Sequence, residues 1–104
     1  MIQVNPKNPH YNLDELKTLI EQPKTRQITL EAVQTASEVG FASVSEIVGV
    51  VLELEREDFY KAMPSEKQPG TFQDVYHKTI NGIELYIKLR KSSDKGIVIS
   101  FKKK

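Results

Sequence analysis

Several residue types and patterns are missing from this chain of 104 residues. It contains no cysteine, so it has no disulfide and offers no thiolate to a metal ion. No apolar run reaches the roughly 18 residues that a membrane-spanning helix needs. The first residues, 1–5, have neither the basic nor the apolar part of a secretory signal. These absences predict a cytoplasmic protein with no metal centre and no cofactor.

The length and composition predict a single domain over residues 1–104. The chain can build one hydrophobic core but is too short for two. The hydrophobic fraction of 38% and the charged fraction of 28% are ordinary for a globular protein. We therefore expect one compact unit with no separate second domain.

The net charge of +1 conceals an uneven distribution along the chain. Residues 1–54 carry 4 Lys/Arg against 7 Asp/Glu, whereas residues 55–104 carry 11 against 7. Between Lys88 and Lys104 there are seven basic residues and one acid, Asp94. A basic C-terminal half suits a polyanionic ligand, although a solvated lysine tail explains the charge equally well.

The N-terminal half predicts three helices, after an extended arm over residues 1–10. Each helix shows apolar residues at helical spacing behind a capping residue, which is Asn12, Thr29 or Ser43. Pro23 stops the first helix, and Gly40 stops the second, which runs over about residues 30–39. The third is expected to bury Ile47, Val50, Val51 and Leu54.

The C-terminal half predicts strands. Residues 55–63 suggest a short helical turn that delivers Lys61, and residues 64–70 form a polar loop. Apolar residues then alternate strictly with polar ones from Ile83 to Arg90. Asn81-Gly82 before them is typical of a type I′ hairpin turn.

The hairpin turn sets the strand register. It places Ile80 opposite Ile83, and therefore places His77 opposite Tyr86, Val75 opposite Lys88 and Gln73 opposite Arg90. A second loop of three residues around Ser93-Asp94-Lys95 would bury Ile97, Ile99 and Phe101 together with Ile87 and Leu89. That register pairs Tyr86 with Lys102, Lys88 with Ser100 and Leu89 with Ile99.

One face of the predicted sheet collects polar and cationic side chains. His77, Tyr86 and Lys102 form a row, and Gln73, Lys88 and Arg90 flank it. The set has hydrogen-bonding and cationic groups but no cluster of metal ligands and no close pair of carboxylates. It therefore suits phosphate chemistry without a metal, and RNA is the obvious substrate. Asp74 is the weak point, because it shares the apolar face with Phe72 and Tyr76.

At these residues the chain resembles the MqsR-type toxins, the mRNA interferases of bacterial type II toxin–antitoxin pairs. The resemblance rests on these segments: Pro9-His10, Gly49, Asp58-Phe59-Tyr60-Lys61-x-Met63, Gln73-Asp74-Val75-Tyr76, Gly82, Tyr86-x-Lys88, Ile99-Ser100-Phe101-Lys102 and Lys104. It implies an α+β, RelE-like fold in which N-terminal helices pack on one face of an antiparallel sheet. It also implies RNA cleavage by Lys61, Gln73, Tyr86 and Lys102, and an adjacently encoded antitoxin of zinc-binding, helix-turn-helix type.

The residue types suggest a role for each predicted site residue in binding or cleaving RNA. Lys61 and Lys102 stabilise negative charge, and either could also transfer a proton if burial and neighbouring cations lowered its pKa. Tyr86 is the preferred proton-transfer residue, and Gln73 holds the ribose or phosphate. Lys88 and Arg90 contact the RNA backbone, and His77 is grouped with them because no family requirement for it is known. The alternatives are a non-catalytic RNA- or ribosome-binding module and a domain that only binds a protein partner. Phe59, Phe72 and Tyr76 are more readily explained by core packing than by base stacking, and His10 by a structural role.

Overall fold

The computed structural model of the protein describes residues 8–104. The regular elements are α1 (Leu13–Glu21), β1 (Arg26–Ile28), α2 (Leu30–Glu38), α3 (Val44–Leu52), β2 (Phe59–Pro64), β3 (Phe72–Ile80), β4 (Ile83–Ser92) and β5 (Lys95–Lys103). Most of the predicted N-terminal arm lies outside the described residues. Among those residues, no helix is long and apolar enough to cross a membrane.

The three helices begin where their caps predict. The side chain of Asn12 accepts a hydrogen bond from the Glu15 amide at 2.9 Å, and Thr29 and Ser43 cap α2 and α3 in the same way. Each cap satisfies an amide at the helix start that has no partner within the helix. The chain leaves α2 at Gly40 with φ +98°, a conformation that glycine adopts without steric cost.

The five strands form one sheet in the order β1-β5-β4-β3-β2. Strands β3, β4 and β5 pair antiparallel as expected. Two edge strands were not expected: β2 pairs antiparallel to β3, and β1 pairs parallel to β5. Sequence patterns missed β1 because three residues are too few to show alternation. The helices cover one face of the sheet, which confirms the α+β arrangement, and the core between them includes Leu16, Ile20, Ala36, Val51, Leu85, Ile87, Leu89, Val98 and Phe101.

The first hairpin has the predicted register. Ile80 lies opposite Ile83, His77 opposite Tyr86 and Val75 opposite Lys88. The two turn residues, Asn81 and Gly82, have φ values of +52° and +81°. Positive φ at both central positions is the signature of a type I′ turn, whose twist matches that of the flanking strands.

The register of the second hairpin agrees with the prediction at one end and differs from it near the loop. Tyr86 lies opposite Lys102 and Lys88 opposite Ser100, as expected, but Leu89 lies opposite Val98 rather than Ile99. Ser92 pairs with Lys95, so the loop has two residues, and the register then shifts by one between Lys88 and Leu89. A two-residue turn followed by a one-residue bulge gives the same register beyond the bulge as a three-residue loop.

The bulge also changes which face the following side chains occupy. Val98 is fully buried beneath the helices, in the place predicted for Ile97 and Ile99. Ile97 and Ile99 instead line cavities on the opposite side of the sheet. Ile97 is buried, with 6% of its surface exposed, but on the other side of the sheet from Ile87 and Leu89. The predicted placement of the two isoleucines with Ile87 and Leu89 is therefore wrong, because a bulge reverses the alternation of the strand.

Asp74 proves to be a buried anchor for the segment before α1. Its carboxylate is fully buried and accepts hydrogen bonds from the backbone amides of His10 and Tyr11 at 2.9 and 2.8 Å. Burial is the main cause that raises the pKa of Asp74, and the two amides partly oppose it. The His10 ring stacks on Phe72 at 4.6 Å between ring centroids, which fits the structural role expected for it.

Gly96 allows α1 to lie against β5. A Cβ atom at this position would come within 2.9 Å of both the Leu19 Cβ and the Ile20 Cγ1. We expect Gly96→Ala to lower the free energy of unfolding by about 1–3 kcal/mol, because the helix must shift or the side chains must leave their rotamers. Denaturant unfolding followed by circular dichroism measures the change.

The matched control is Gly49→Ala within α3. A Cβ atom there has no neighbour within 4 Å, so this change should stabilise the protein by up to about 1 kcal/mol through helix propensity alone. Equal effects of the two substitutions would contradict the close approach at Gly96.

Candidate active site

All seven predicted site residues lie on the face of the sheet turned away from the helices, called here the outer face. The strand registers arrange them in cross-strand rows. One row contains His77, Tyr86 and Lys102, and the next contains Lys61, Val75, Lys88 and Ser100. Successive rows on one face are about 7 Å apart, because a strand rises about 3.3 Å per residue.

Lys61 reaches this face by a different route from the one predicted. The helical turn covers only Arg56–Asp58, and Lys61 belongs to the edge strand β2, opposite Val75. The register of β2 shifts between Phe59 and Lys61, so Tyr60 is the extra residue of a bulge. The segment has no alternation of apolar and polar residues, and sequence patterns therefore gave no sign of a strand.

Three lysines of the outer face, Lys61, Lys88 and Lys102, lie near one another and are called here the lysine cluster. The Lys102 and Lys88 ammonium nitrogens lie 5.1 and 5.7 Å from the centre of the Tyr86 ring. Lys61 is placed similarly, 5.5 Å from the ring of Tyr60. Cation–π attraction at these distances holds the ammonium groups near the rings despite their mutual repulsion.

The surroundings shift the pKa of Lys88 and the pKa of Tyr86. Burial lowers the pKa of Lys88, and the charge of Lys102 lowers it further. Burial raises the pKa of Tyr86, with a smaller contribution from Tyr60. At neutral pH Tyr86 therefore keeps its proton, and Lys88 gives up a proton more readily than an ordinary lysine.

His77 lies between two tyrosines. Its ring stacks on Tyr60 at 4.2 Å and lies 5.8 Å from the Tyr86 ring, measured between centroids. Burial lowers the pKa of His77, the charges of Lys104 and Lys61 lower it further, and Glu84 opposes them. The imidazole is therefore neutral at pH 7 and presents an uncharged aromatic surface next to the lysine cluster.

Sequence reasoning missed Tyr60, which is 54% exposed and forms the outer end of this stack. The aromatic residues considered for base stacking were Phe59, Phe72 and Tyr76. Tyr76 is fully buried, Phe59 packs against the core and Phe72 packs on His10. The position of Tyr60 next to Lys61 was the available signal, but only the bulge shows that its ring lies on the outer face.

Gln73 is held at the edge of a cavity of about 170 Å³ beside the lysine cluster. Its side-chain amide donates a hydrogen bond to the Ser65 hydroxyl at 3.3 Å, and both residues are 8% exposed. Lys88 and Lys102 line the same cavity. The structure therefore brings three of the predicted site residues around one space.

Arg90 lies further along the outer face. Its guanidinium donates a hydrogen bond to the side chain of Gln68, in the loop between β2 and β3. Its Nε is buried and has no hydrogen-bond partner among the described residues. Within residues 8–104, no three histidine, aspartate or glutamate side chains are grouped as a metal site would require.

Comparison with known proteins shows the family of this chain. The sequence model of the family described as "Motility quorum-sensing regulator, toxin of MqsA" matches residues 8–103. The chain is also 30% identical over 98 residues to the mRNA interferase toxin MqsR of Escherichia coli (strain K12). This alignment covers 94% of the chain and 97% of that protein. The chain belongs to the MqsR toxin family.

Family membership confirms the resemblance seen in the motifs. The matched range contains all seven predicted site residues of this MqsR-family chain. The part that each of those residues plays stays a prediction, which the geometry above makes testable.

The lowered pKa of His77 can be measured directly. Removing the charge of Lys104 by Lys104→Gln should raise the pKa of His77 towards its ordinary value. The charge of Lys104 disfavours the imidazolium. The substitution also removes the ion pair between Lys104 and Glu84 at 3.5 Å, so that the Glu84 carboxylate is free to stabilise the imidazolium. A titration of the imidazole protons by NMR, with His10→Gln to assign the two histidines, gives the value.

The matched control for this titration is Lys24→Gln, an exposed lysine in the turn after α1. It should leave the pKa of His77 unchanged. A value for the unsubstituted protein at or above that of a free histidine would contradict the environment described for His77.

Proposed function

We propose that the protein is an endoribonuclease toxin that cleaves single-stranded mRNA on the outer face of its sheet. Membership in a toxin family, with a relative named as an mRNA interferase, supports the activity. The site is supported by the position of Tyr86. Its ring lies beside Lys102 in the same cross-strand row and beside Lys88 in the next row. A proton donor next to several cations is what phosphoryl transfer without a metal requires.

The proposed reaction is attack by a ribose 2′-hydroxyl on the neighbouring phosphorus. A bond forms between the 2′-oxygen and phosphorus, and the bond from phosphorus to the 5′-oxygen breaks. The 2′-hydroxyl gives its proton to a base, and the leaving 5′-oxygen takes a proton from an acid. The products are a 2′,3′-cyclic phosphate and a 5′-hydroxyl. Positioning and electrostatic stabilisation supply most of the rate in such reactions.

The side chains of the outer face can fill these parts. Tyr86 keeps its proton at neutral pH and serves as the acid for the 5′-oxygen. Lys61 and Lys102 stabilise the charge of the phosphorane. Lys88, first assigned to backbone contact, has the lowered pKa that a base for the 2′-hydroxyl needs.

The remaining site residues position the RNA. Gln73, oriented by Ser65, holds the ribose or phosphate. Tyr60 and His77 offer an exposed aromatic stack for a base, the usual device for binding single strands. Arg90 contacts the RNA backbone. A basic face with an aromatic stack would equally serve a non-catalytic RNA- or ribosome-binding module, and the cleavage assay below separates the two.

The family description names the toxin of MqsA, which supports an antitoxin partner for this chain. We propose that this partner is a zinc-binding, helix-turn-helix protein and that the adjacent reading frame encodes it. An adjacent frame without a cysteine-rich, DNA-binding product would count against that form of partner. Because the proposed substrate is mRNA, the proposed place of action is the cytoplasm.

The central role of Tyr86 is tested by Tyr86→Phe. Loss of the hydroxyl should lower the cleavage rate of a single-stranded RNA by about 10²–10⁴-fold, because general acid catalysis contributes about that much. The assay uses purified protein, with and without EDTA, and the RNA ends are mapped. Cleavage by the unsubstituted protein should withstand EDTA.

Tyr76→Phe is the matched control, on the same sheet but facing the core. The Tyr76 hydroxyl is buried and has no hydrogen-bond partner among the described residues, so its loss should leave cleavage unchanged. Undiminished cleavage by a protein carrying both Tyr86→Phe and Lys102→Ala would overturn the site. Absence of cleavage by the unsubstituted protein would favour the binding module.

The base role of Lys88 is tested by Lys88→Arg, which keeps the positive charge but cannot release a proton. A neutral lysine is the active form, so the rate of the unsubstituted enzyme should rise with pH through the lowered pKa of Lys88. The arginine variant should lose this rise and be at least about 100-fold slower. Single-turnover rates between pH 6 and pH 9 provide the comparison.

Lys91→Arg serves as the control, because Lys91 lies on the opposite side of β4 from the outer face and pairs with Glu15 of α1 at 3.1 Å. It should keep both the rate and the pH dependence. If Lys88→Arg also keeps them, Lys88 binds phosphate and is not the base.

A further inference from the structure

The outer face continues past Gln73 into a second cavity, of about 310 Å³. This volume lies near the lower end of the range of about 300–1,000 Å³ that is usual for ligand pockets. The second cavity shares five lining residues with the cavity beside the lysine cluster: Glu31, Ser65, Lys67, Gln73 and Ile99. It is called here the side pocket, and it is continuous with the proposed site of cleavage.

The apolar part of the side pocket exists because of the β5 bulge. The bulge turns Ile97 and Ile99 to the outer face, where both line the pocket. Without the bulge, regular alternation would place Val98 on this face in their stead. The pocket thus has an apolar surface against which a flat ring can lie.

The loop between β2 and β3 forms the opposite wall and is held by its own hydrogen bonds. The Ser65 amide donates to the Thr71 carbonyl at 2.9 Å, and the Gln68 amide donates to the Ser65 hydroxyl at 3.2 Å. The Gln68 side chain accepts a hydrogen bond from Arg90 on β4, the strand next to β3. The wall is therefore organised before any ligand binds.

The remaining lining residues supply hydrogen-bonding groups of both kinds. The carboxylate of Glu31, in the first turn of α2, only accepts hydrogen bonds. The side-chain amides of Gln68 and Gln73 both donate and accept. The buried Nε of Arg90 is a donor that lacks a partner among the described residues. A nucleobase has the matching features, apolar faces and an edge of donors and acceptors.

From these observations we propose that the side pocket binds one base of the single strand, next to the scissile phosphate, and sets the base preference at that position. The inference rests on the proposed ribonuclease function. One row on the outer face lies about 7 Å from the next, so a base beside the phosphate on the lysine cluster is within reach of the pocket. Bases of single-stranded RNA can be splayed out and read by their edges in this way.

Glu31→Gln tests the proposal, because it turns an acceptor into a group that also donates without changing the size of the side chain. The assay is cleavage of an RNA library randomised on both sides of the cut, followed by sequencing of the ends. We expect the ratio between the best and the worst base to change by about tenfold at one position and to stay constant at the others. Such a change corresponds to one hydrogen-bonded contact with a base edge.

Glu38→Gln, in the last turn of the same helix, is the matched control and should leave every ratio unchanged. Glu31 also raises the pKa of Lys88, so Glu31→Gln will alter the rate on all substrates. A uniform change in rate does not alter the ratio between bases, and thermal melting checks that each variant is folded. Ile97→Phe, which fills the side pocket with apolar volume, should reduce discrimination at the same position.

Different experimental results would overturn the ribonuclease function and the base pocket. If the unsubstituted protein does not cleave RNA, the proposed function is wrong. The protein could instead cleave RNA but show no base preference beside the cut, or keep its preference unchanged in both Glu31→Gln and Ile97→Phe. In either case the side pocket is not a base pocket.

Discussion

The burial of one face of β4 is the constraint on which the rest of the molecule depends. Leu85, Ile87 and Leu89 are fully buried beneath the helices. Because side chains alternate along a strand, Tyr86, Lys88 and Arg90 must then lie on the outer face. The strands on either side bring the other site residues into line with them. Hydrophobic burial on one side thus places the polar chemistry on the other.

Two β-bulges, one in β2 and one in β5, interrupt the alternation of side chains next to the candidate site. In β2 the bulge adds Tyr60, so that an aromatic ring and Lys61 stand side by side. In β5 the bulge turns Ile97 and Ile99 towards the side pocket and leaves Val98 in the core. Bulges re-aim side chains without breaking the sheet, which is why they are frequent next to functional sites.

The crowding of lysines on the outer face destabilises the folded protein. Three lysines stand close together around two tyrosines, and the burial and mutual repulsion that lower the pKa of Lys88 also cost folding energy. The cation–π contacts oppose this cost, each contributing about 0.5–1 kcal/mol at exposed sites. The hydrophobic core on the opposite face stabilises the fold as a whole. Such local conflicts with stability are common where a surface is built for a ligand.

The edge of β5 shows how the helices complete the sheet. Strand β1 covers this edge only as far as Val98. Beyond it, the hydroxyls of Thr29, which caps α2, and of Thr35 within α2 donate hydrogen bonds to the carbonyls of Ile99 and Phe101 at 2.9 and 2.6 Å. These contacts satisfy carbonyls that would otherwise form an open edge. They also bring Glu31, at the start of the same helix, to the side pocket.

The sequence by itself determined the three helix starts, the first hairpin and the row of His77, Tyr86 and Lys102. These depend on local capping, on the conformations that Asn81 and Gly82 accept, and on a period of two. The family resemblance added Lys61, which no spacing in the chain placed on the sheet. Only the tertiary structure decided β1, the two bulges, the exposure of Tyr60 and the side pocket. A bulge gains its energy from packing between distant segments, and no local pattern of residues records that.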